Sequence, residues 1–458
     1  MSIRHILARY ESWLKATRFS SDAARYNPLH YGFVRRSIAR YDGLDFGGRQ
    51  ALSQWQCRRA LHQARQTPYG RSRPLAWEEW PVLDKRAIRD RPADFARRTL
   101  ISVPAATGGT TGTPLRLTRS LRGVAAEQAF IDSLLGPGRS FRTDKAAMLR
   151  AFAVKDRADD EPPFGRITQG GRCLMLSSYH LSQKNAWWYA RELERFRPDI
   201  LFAYPSMLAR LLNLLEKEAA RPAIPLILCS SETMPYGLRA EAENRLSARL
   251  IDFYGLAERV CFAWSRNGQD YYFSPAYGRT ELLPSDADPM MPGSVAARIV
   301  ATGFWNDSMP LMRYDTGDLA ILPAGLAPRE VAEIELGLRP FRGILGRQDE
   351  TILLPDGTIV YGLNQIPKGI DHASQVQIVQ TEPLAVALLV VPKSAYTAAD
   401  SEKLLKNARL RFPPQAALRV ELVDRLLQTA AGKTPFVIRH TSMVQTPQPA
   451  AQIVTTRT

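Results

Sequence analysis

Residues 225–255 read PLILCSSETMPYGLRAEAENRLSARLIDFYG, and this pattern predicts how the chain folds. The apolar run at 225–229 predicts a short strand, 236–248 predicts an amphipathic helix, and 249–253 predicts a second strand. A strand, a helix and another strand in this order indicate a parallel β-α unit. Because ligands bind at the carboxyl ends of the strands in such sheets, the residues after 229 and 253 are candidates for a binding site.

The same alternation extends toward the N-terminus. Strands are predicted at 115–117, 145–152, 173–176 and 199–203, and helices at 123–135, 185–196 and 206–220. Short strands between residues 264 and 322 are typical of a smaller, barrel-like subdomain. We therefore predict an α/β fold whose large N-terminal domain combines parallel β-α sheets with this subdomain.

A different pattern follows residue 349. Residues 351–360 predict a hairpin around Asp356-Gly357, residues 375–391 two more strands, and residues 398–411 a helix. These elements indicate a small α+β domain. The predicted organisation is an N-terminal domain at 1–348 with a helical cap at 1–75, a small mobile C-terminal domain at 349–440, and a flexible tail at 441–458.

The composition is that of a globular protein. The chain has 458 residues, of which 45% are hydrophobic and 23% are charged. No apolar run approaches the roughly 18 residues that span a bilayer, and the first ten residues lack a signal-peptide core. A cytoplasmic protein without a membrane span is the expectation. The four cysteines form no Cys-x-x-Cys pair and no two histidines are four residues apart, so no zinc site is predicted.

The chain is basic, with 61 Lys and Arg against 45 Asp and Glu, a net charge of +16. Such a charge can indicate nucleic-acid binding. The basic residues are spread throughout, however, without a zinc knuckle, an RNA-binding aromatic strand or a dense basic tail. A basic surface also attracts ATP, coenzyme A or an acidic carrier protein. A non-catalytic, basic nucleic-acid-binding protein is the alternative from another functional class.

A loop rich in glycine and threonine lies upstream of the β-α units. It reads Thr107-Gly108-Gly109-Thr110-Thr111-Gly112-Thr113-Pro114. Glycines let the backbone approach a ligand closely, and successive N–H groups can bind an anion. Because no Gly-Lys-Ser/Thr follows, the loop is not a Walker motif.

Four further motifs follow this loop along the chain. They are Phe253-Tyr254-Gly255-Leu256-Ala257-Glu258, Arg313-Tyr314-Asp315-Thr316-Gly317-Asp318, Gly346-Arg347-Gln348-Asp349 and Ala431-Gly432-Lys433. In this order and spacing, the set resembles the adenylate-forming (ANL) superfamily of acyl- and aryl-CoA ligases, adenylation domains and luciferases. The resemblance extends from about Thr107 to Lys433, most of the chain.

Other segments resemble one branch of that superfamily, the phenylacetate–CoA ligase (PaaK)/CapK-like branch. They are Gln63-Ala64-Arg65-Gln66-Thr67-Pro68-Tyr69, Trp80-Pro81-Val82-Leu83-Asp84-Lys85, Ser177-Ser178-Tyr179-His180-Leu181-Ser182 and Ala203-Tyr204-Pro205-Ser206.

The resemblance implies ATP and Mg²⁺ as cofactors and assigns roles to individual residues. Lys433, Thr111 and Glu258 are the expected catalytic residues, with Glu258 holding Mg²⁺ and Lys433 reaching the carboxylate and α-phosphate during adenylation only. Tyr254 is expected to stack on adenine, Asp318 to bind the ribose hydroxyls, Arg347 to contact ribose or phosphate, and Asp349 to act as the hinge. The remaining expected ATP-binding residues are Thr107, Gly108, Gly109, Thr110, Gly112, Ser231, Glu232 and Gly255.

This sequence departs from the family pattern at two positions. Leu115 stands where many relatives carry lysine, so we expect Arg116 to compensate phosphate charge. Ala257 stands where threonine is common, which removes one hydroxyl near the α-phosphate.

The pocket for the acid is less well defined by the sequence. Tyr179, His180, Tyr204 and Ser206 are the candidate lining residues. Aromatic walls favour an aryl or arylacetic acid over a long acyl chain. His180 has two interpretations, one as a contact of the substrate carboxylate and the other as a structural histidine with both ring nitrogens bonded.

The resemblance implies a ligase that converts a carboxylic acid to acyl-AMP, releases pyrophosphate and passes the acyl group to a thiol. Coenzyme A is the first expected acceptor and carrier-protein phosphopantetheine the second. An amine acceptor, giving an amide in a natural-product or polysaccharide pathway, is the alternative. The sequence leaves the acid, the acceptor and the oligomeric state open.

Overall fold

A computed structural model describes most of the chain. The described residues are 18–99, 101–106, 115–152, 154–156, 159–235, 237–287, 289, 291–347, 352–355, 359–360, 363, 366–367, 369–428 and 434–439.

Helices occupy much of the described N-terminal segment. They are α1 (Arg18–Arg25), α2 (Pro28–Asp42), α3 (Phe46–Ala64) and α4 (Lys85–Asp90). The side chain of Asn27 caps α2 by accepting from the N–H groups of Leu29 and His30, and Pro28 occupies the first turn, where its missing N–H has no consequence.

A hairpin of β1 (Ser102–Ala106) and β2 (Arg116–Ser120) comes next, followed by helix α5 (Leu121–Leu135). The hairpin register places Ala106 opposite Arg116, so the two ends of the threonine-rich loop are held side by side. The sequence predicted a strand at Leu115-Arg116-Leu117 but not its partner β1.

In the described part of the chain, eight strands form the largest sheet. They are β3 (Ala146–Phe152), β4 (Gly165–Thr168), β5 (Cys173–Ser177), β6 (Ile200–Ala203), β7 (Leu226–Ser230), β8 (Arg249–Gly255), β9 (Phe262–Ser265) and β10 (Tyr271–Phe273). Their order in the sheet is β10-β9-β8-β7-β6-β3-β5-β4, and the run from β8 to β5 is parallel. The predicted α/β fold with a parallel sheet is confirmed.

Helices cover both faces of this sheet. On one face lie α6 (Ala186–Phe196), α7 (Pro205–Lys217) and α8 (Leu238–Leu246), which pack on Leu201 and Ala203. Their neighbours in β6, Ile200 and Phe202, point to the other face and pack against the core formed with α2, α3 and α5. Successive residues of a strand face opposite sides, so a strand covered on both sides must be apolar throughout, as the run at 200–203 is.

A smaller antiparallel sheet follows, in the region where the sequence predicted short strands. It contains β11 (Gly278–Pro284), β12 (Ser294–Gly303), β13 (Tyr314–Pro323) and β14 (Gly343–Arg347), with helix α9 (Pro328–Glu335) between the last two strands. The register of β13 and β14 places Asp318 opposite Arg347, two residues from separate predicted motifs.

The C-terminal unit packs around its own core. It contains β15 (Ile352–Leu353), β16 (Ile359–Val360), β17 (Ala373–Glu382), β18 (Ala385–Pro392), α10 (Ala398–Arg409), β19 (Ala417–Leu422) and β20 (Val437–Ile438). Ile378, Leu388, Leu404 and Val420 are among the residues of that core. The sequence predicted neither β19 nor β20. Asp349 and the tail at 441–458 lie outside the described residues, so the domain boundary and the tail remain predictions.

No helix in the described part of the chain is long and apolar enough to cross a bilayer.

A partly buried glutamate at the end of α9 predicts a pH-dependent stability. Glu335 Oε1 accepts from the Leu282 N–H at 2.8 Å, and burial raises the pKa of this carboxyl to about 7. The folded state therefore holds a proton that the unfolded chain releases near pH 4.5, and the protein loses stability as pH rises from about 4.5 to 7. Glu335→Gln keeps the acceptor and cannot ionise.

We expect Glu335→Gln to raise the free energy of unfolding by about 1–3 kcal/mol at pH 8 and by little at pH 4.5, as measured by urea unfolding. Glu402→Gln, which changes an exposed glutamate on α10, is the control. An equal effect at both pH values would contradict the buried-charge explanation.

Candidate active site

The polar motifs of the β-α units meet at the carboxyl edge of the large sheet. Tyr204 follows β6, Ser231 follows β7, and Tyr254 lies at the end of β8. The order of strands reverses at β3, because β5 lies on one side of it and β6 on the other. Ligands in open α/β sheets bind at such a switch point.

Glu258 follows β8 and is almost fully buried, with 2% of its surface exposed. The Tyr314 hydroxyl donates to Glu258 Oε1 at 2.8 Å. The second oxygen, Oε2, is buried and has no hydrogen-bond partner among the described residues. A buried carboxylate oxygen without a hydrogen bond costs free energy. The site therefore suits a cation that would coordinate Oε2.

A single carboxylate is enough for a magnesium ion that a nucleotide brings with it. No cluster of three His, Cys, Asp or Glu side chains suited to a metal occurs among the described residues. Mg²⁺ in nucleotide sites keeps several waters and takes one or two carboxylates together with phosphate oxygens. The buried Oε2 of Glu258 fits that pattern.

A cation that the sequence analysis missed lies beside Glu258. Arg119 on β2 donates from Nη2 to the carbonyl oxygen of Ala257 at 3.0 Å. Burial lowers the pKa of Arg119, while the nearby Tyr277 and Glu258 oppose that shift. Arg116, which we expected to compensate phosphate charge, is exposed at the start of the same strand.

Tyr254 and Asp318 come together from the two sheets. The Tyr254 hydroxyl donates to Asp318 Oδ2 at 2.5 Å. Burial, and then the charge of Asp318, raise the pKa of Tyr254 well above its ordinary value, so the tyrosine remains a donor. The Asp318 N–H donates to Thr316 Oγ1 at 3.1 Å, which fixes the turn that carries the carboxylate.

Glu232 joins the large sheet to the C-terminal unit. Its Oε2 accepts from the Ser206 N–H at the start of α7, and its Oε1 accepts from the Thr434 N–H, both at 3.0 Å. Thr434 directly follows Lys433 in the chain. Lys393 also reaches across, with its ammonium 2.7 Å from Glu241 Oε2 on α8.

His180 has the contacts of a structural histidine. Its Nδ1 is 2.7 Å from Ser177 Oγ, its Nε2 is 3.1 Å from the Asp156 carbonyl oxygen, and its ring stacks on Phe164. Because a carbonyl can only accept, Nε2 carries the proton and Nδ1 accepts from the serine. Both nitrogens are bonded, so the geometry favours the structural interpretation over a contact with the substrate.

The other proposed pocket residues remain near the edge of the sheet. Tyr204 and Ser206 are largely buried, and Tyr179 is half-buried. The hydroxyl of Ser206 has no partner among the described residues. Gly255 pairs with Phe262 across β8 and β9.

Two family models match the chain. Residues 106–287 match the AMP-binding enzyme family, and residues 352–440 match the CapK C-terminal domain. Protein CapK of Staphylococcus aureus is 22% identical over 340 residues, which are 73% of this chain and 73% of that protein. The phenylacetate-coenzyme A ligase of Pseudomonas putida is 26% identical over 187 residues, 39% of each chain.

These matches support the ANL superfamily for this chain and, within it, the phenylacetate–CoA ligase/CapK-like branch. The fold agrees with this family. A 2-hydroxyisobutyryl-CoA ligase in the postadenylation state, in complex with 2-HIB-AMP, aligns with a TM-score of 0.57 at 16% identity and covers 84% of this chain and 88% of that one.

Several residues expected from the adenylate-forming family lie outside the described part of the chain. They are Thr107, Gly108, Gly109, Thr110, Thr111, Gly112, Asp349 and Lys433. The backbone of Arg347 is described, but its side chain is not. The roles assigned to these residues remain predictions.

Arg150, near the end of β3, is another residue at the carboxyl edge of the large sheet that the sequence did not reveal. Its Nη2 donates to Ser231 Oγ at 3.0 Å. The available signal was a single charged residue inside the apolar run at 146–152.

The two bonds of Glu232 predict how the C-terminal unit is held. Glu232→Ala leaves two largely buried N–H groups without an acceptor, and we expect a loss of about 2–4 kcal/mol in local opening free energy. Hydrogen exchange of the Ser206 and Thr434 amides measures this opening free energy. Glu241→Ala, which removes the ion pairs with Lys393 and Arg245, should change the opening free energy of these amides by less than about 1 kcal/mol. Unchanged protection in Glu232→Ala would contradict the bridge.

Proposed function

We propose that the protein is an ATP- and Mg²⁺-dependent ligase that converts a carboxylic acid to acyl-AMP with release of pyrophosphate, then transfers the acyl group to a thiol. The observation that carries the proposal is the buried Oε2 of Glu258, which has no hydrogen-bond partner in the described part of the chain. Glu258 lies in the same motif as Tyr254, whose hydroxyl donates to Asp318. These residues supply a metal ligand and a pair of polar groups at the carboxyl edge of the sheet.

Adenylation is an in-line attack of a carboxylate on the α-phosphorus, with pyrophosphate as the leaving group. The two reactants are both anions, so the protein must align them and offset their charge. Mg²⁺, when bound, would offset charge on the phosphate oxygens. Glu258 would hold the ion, and Arg119, next to it, would add positive potential.

Asp318 and Tyr254 would orient the nucleoside. The carboxylate oxygens of Asp318 can accept hydrogen bonds from the ribose hydroxyls. The hydroxyl of Tyr254 donates to Oδ2 of this carboxylate and fixes its orientation. The ring of Tyr254 would then lie against adenine. Arg347, whose backbone is opposite Asp318, would contact ribose or phosphate, and residues 107–112 would bind the β and γ phosphates.

Lys433 would complete the site from the C-terminal unit. A lysine offers a compact positive charge on a flexible stem, which suits contact with the carboxylate and the α-phosphate. The Thr434 N–H is bonded to Glu232, beside Ser231 at the edge of the sheet. We propose Asp349 as the hinge between domains at 1–348 and 349–440.

Coenzyme A is the acceptor that we propose first, and carrier-protein phosphopantetheine second. The support is that the named relatives include a phenylacetate-coenzyme A ligase and that the fold is shared with a 2-hydroxyisobutyryl-CoA ligase. The aromatic rings of Tyr179 and Tyr204 support an aryl or arylacetic acid as the substrate. Product masses after incubation with ATP and either coenzyme A or amines would distinguish a thioester from an amide.

Lys433→Ala should separate the two half-reactions. We expect acid-dependent exchange of pyrophosphate into ATP to fall by about 100- to 1,000-fold, because a cation aimed at the reacting anions is removed. Transfer from a synthetic acyl-adenylate to coenzyme A should change by less than about threefold, because the adenylate is already formed. Lys403→Ala, whose ammonium bonds the Gly369 carbonyl, is the control. Retained exchange in Lys433→Ala would refute the role of this lysine.

Glu258→Gln tests the metal site. The amide keeps an acceptor for Tyr314 but loses the negative charge, so we expect the Mg²⁺ concentration for half-maximal exchange to rise by at least about tenfold. Titration of Mg²⁺ at constant ATP measures the shift. Glu335→Gln, which neutralises a partly buried carboxyl group on α9, should leave the Mg²⁺ dependence unchanged. An unchanged Mg²⁺ dependence in Glu258→Gln would exclude Glu258 as the ligand.

A further inference from the structure

Arg150 presents a fixed guanidinium at the carboxyl edge of β3. The guanidinium carbon lies 4.1 Å from the ring centre of Phe202 and 4.8 Å from that of Tyr204. Its Nη2 donates to Ser231 Oγ, and Tyr204 is a further hydrogen-bonding neighbour. Stacking on two rings orients the planar fork before any ligand binds.

No carboxylate of the described residues forms an ion pair with this cation. Glu232 is close enough to favour the charged form, but its two oxygens accept from the N–H groups of Ser206 and Thr434. Arg150 Nε is buried without a hydrogen-bond partner in the part of the chain that the structure describes. Burial lowers the pKa of Arg150, a sign that the cation has lost much of its hydration. A cation in this condition is stabilised when an anion binds to it.

Arg150 contacts Ser231, one of the expected ATP-binding residues, but it lies apart from Tyr254 and Glu258. Its strand, β3, is three strands away from β8, which carries Tyr254 and leads to Glu258. Neighbouring strands are about 4.8 Å apart, so the two strand axes are about 14 Å apart. The guanidinium extends from β3 over β6 toward β7 and is partly exposed. It therefore lies on the side of this sheet edge that is away from Tyr254 and Glu258.

We propose that Arg150 is a specificity-determining residue that binds a second carboxylate on the acid, so that the substrate is an aromatic dicarboxylic acid. The inference rests on the proposed function and narrows its substrate class. The reacting carboxylate lies toward the nucleotide, and the ring between the two carboxylates packs against the aromatic side chains. The same cation disfavours acids with an ammonium group near this point, such as amino acids.

Binding of small probes tests the proposal without requiring catalysis. The probes are benzoate and the ortho, meta and para benzenedicarboxylates, titrated calorimetrically into the full chain. We expect at least one dicarboxylate to bind about 10- to 100-fold more tightly than benzoate, the range of a hydrogen-bonded charge pair. Arg150→Gln should abolish this preference and leave benzoate binding within about threefold, whereas Arg150→Lys should retain part of the preference.

A matched control is available directly after β9. Arg266 also stacks on an aromatic ring, with its guanidinium carbon 4.9 Å from the ring centre of Trp264. Because β9 is antiparallel to β8, Arg266 lies at the opposite edge of the sheet. Arg266→Gln should bind all four probes as the unmodified protein does. Equal loss of benzoate and dicarboxylate binding in Arg150→Gln would overturn the proposal, because Arg150 would then bind the carboxylate common to both. No preference for any dicarboxylate in the unmodified protein would overturn it as well.

Pyrophosphate exchange with the same acids distinguishes this proposal from the proposed function. Exchange supported by monocarboxylic acids, without any Arg150-dependent preference, would leave the ligase function standing and refute the specificity role. Arg150-dependent binding of a dicarboxylate, without pyrophosphate exchange for any acid, would support the binding role of Arg150 and refute the ligase function.

Discussion

Burial of both faces of the parallel sheet determines where this protein can carry out chemistry. Strands such as β6 are apolar on both sides because helices cover them, so they cannot present polar groups along their length. Their polar residues are confined to the ends, and parallel strands bring their carboxyl ends to one edge. Tyr204, Ser231 and Tyr254 are neighbours for this reason, although they are far apart in the chain.

The carboxylate of Glu258 and the guanidinium of Arg150 are kept apart at the carboxyl edge of the large sheet. Among the described residues, Oε2 of Glu258 has no hydrogen-bond partner and Arg150 forms no ion pair with a carboxylate, although both residues belong to the same edge of the sheet. A buried polar atom without a hydrogen-bond partner costs about 1–3 kcal/mol, an appreciable fraction of the net stability of a domain. Direct pairing would remove the cost, but the strands between them keep the two groups apart. Such an arrangement is complementary to a ligand that brings a cation to one end and an anion to the other.

The sequence predicted the parts of this structure that depend on local pattern. Alternating apolar strands and amphipathic helices indicated the sheet from 145 to 253, because burial on both faces leaves a clear signal. It did not predict β20, two residues long, or β19, whose residues 417–422 include two charged side chains. Arg119 and Arg150 were missed because their importance comes from neighbours on other strands. The pairing of Asp318 with Arg347 is likewise a property of register, which single motifs do not reveal.

The contacts between the N-terminal part and the C-terminal unit are compatible with the proposed rotation, because they are polar and can be exchanged for contacts with water. Across the described residues, no hydrophobic cluster contains members from both units, whereas the bonds of Glu232 to Thr434, Lys393 to Glu241 and Gln375 to the Ser206 carbonyl are polar. Separation of an apolar interface would expose surface at about 25 cal/mol per Å², but water replaces polar contacts at a net cost of about 0.5–1.5 kcal/mol each. The proposed rotation about Asp349 therefore needs only a modest differential affinity of the ligands for the two states. The Thr434 amide is one of the groups that hold the two units together. Separation of the units would therefore also move the adjacent Lys433 away from the edge of the large sheet. This links the position of Lys433 to the proposed change from adenylation to acyl transfer.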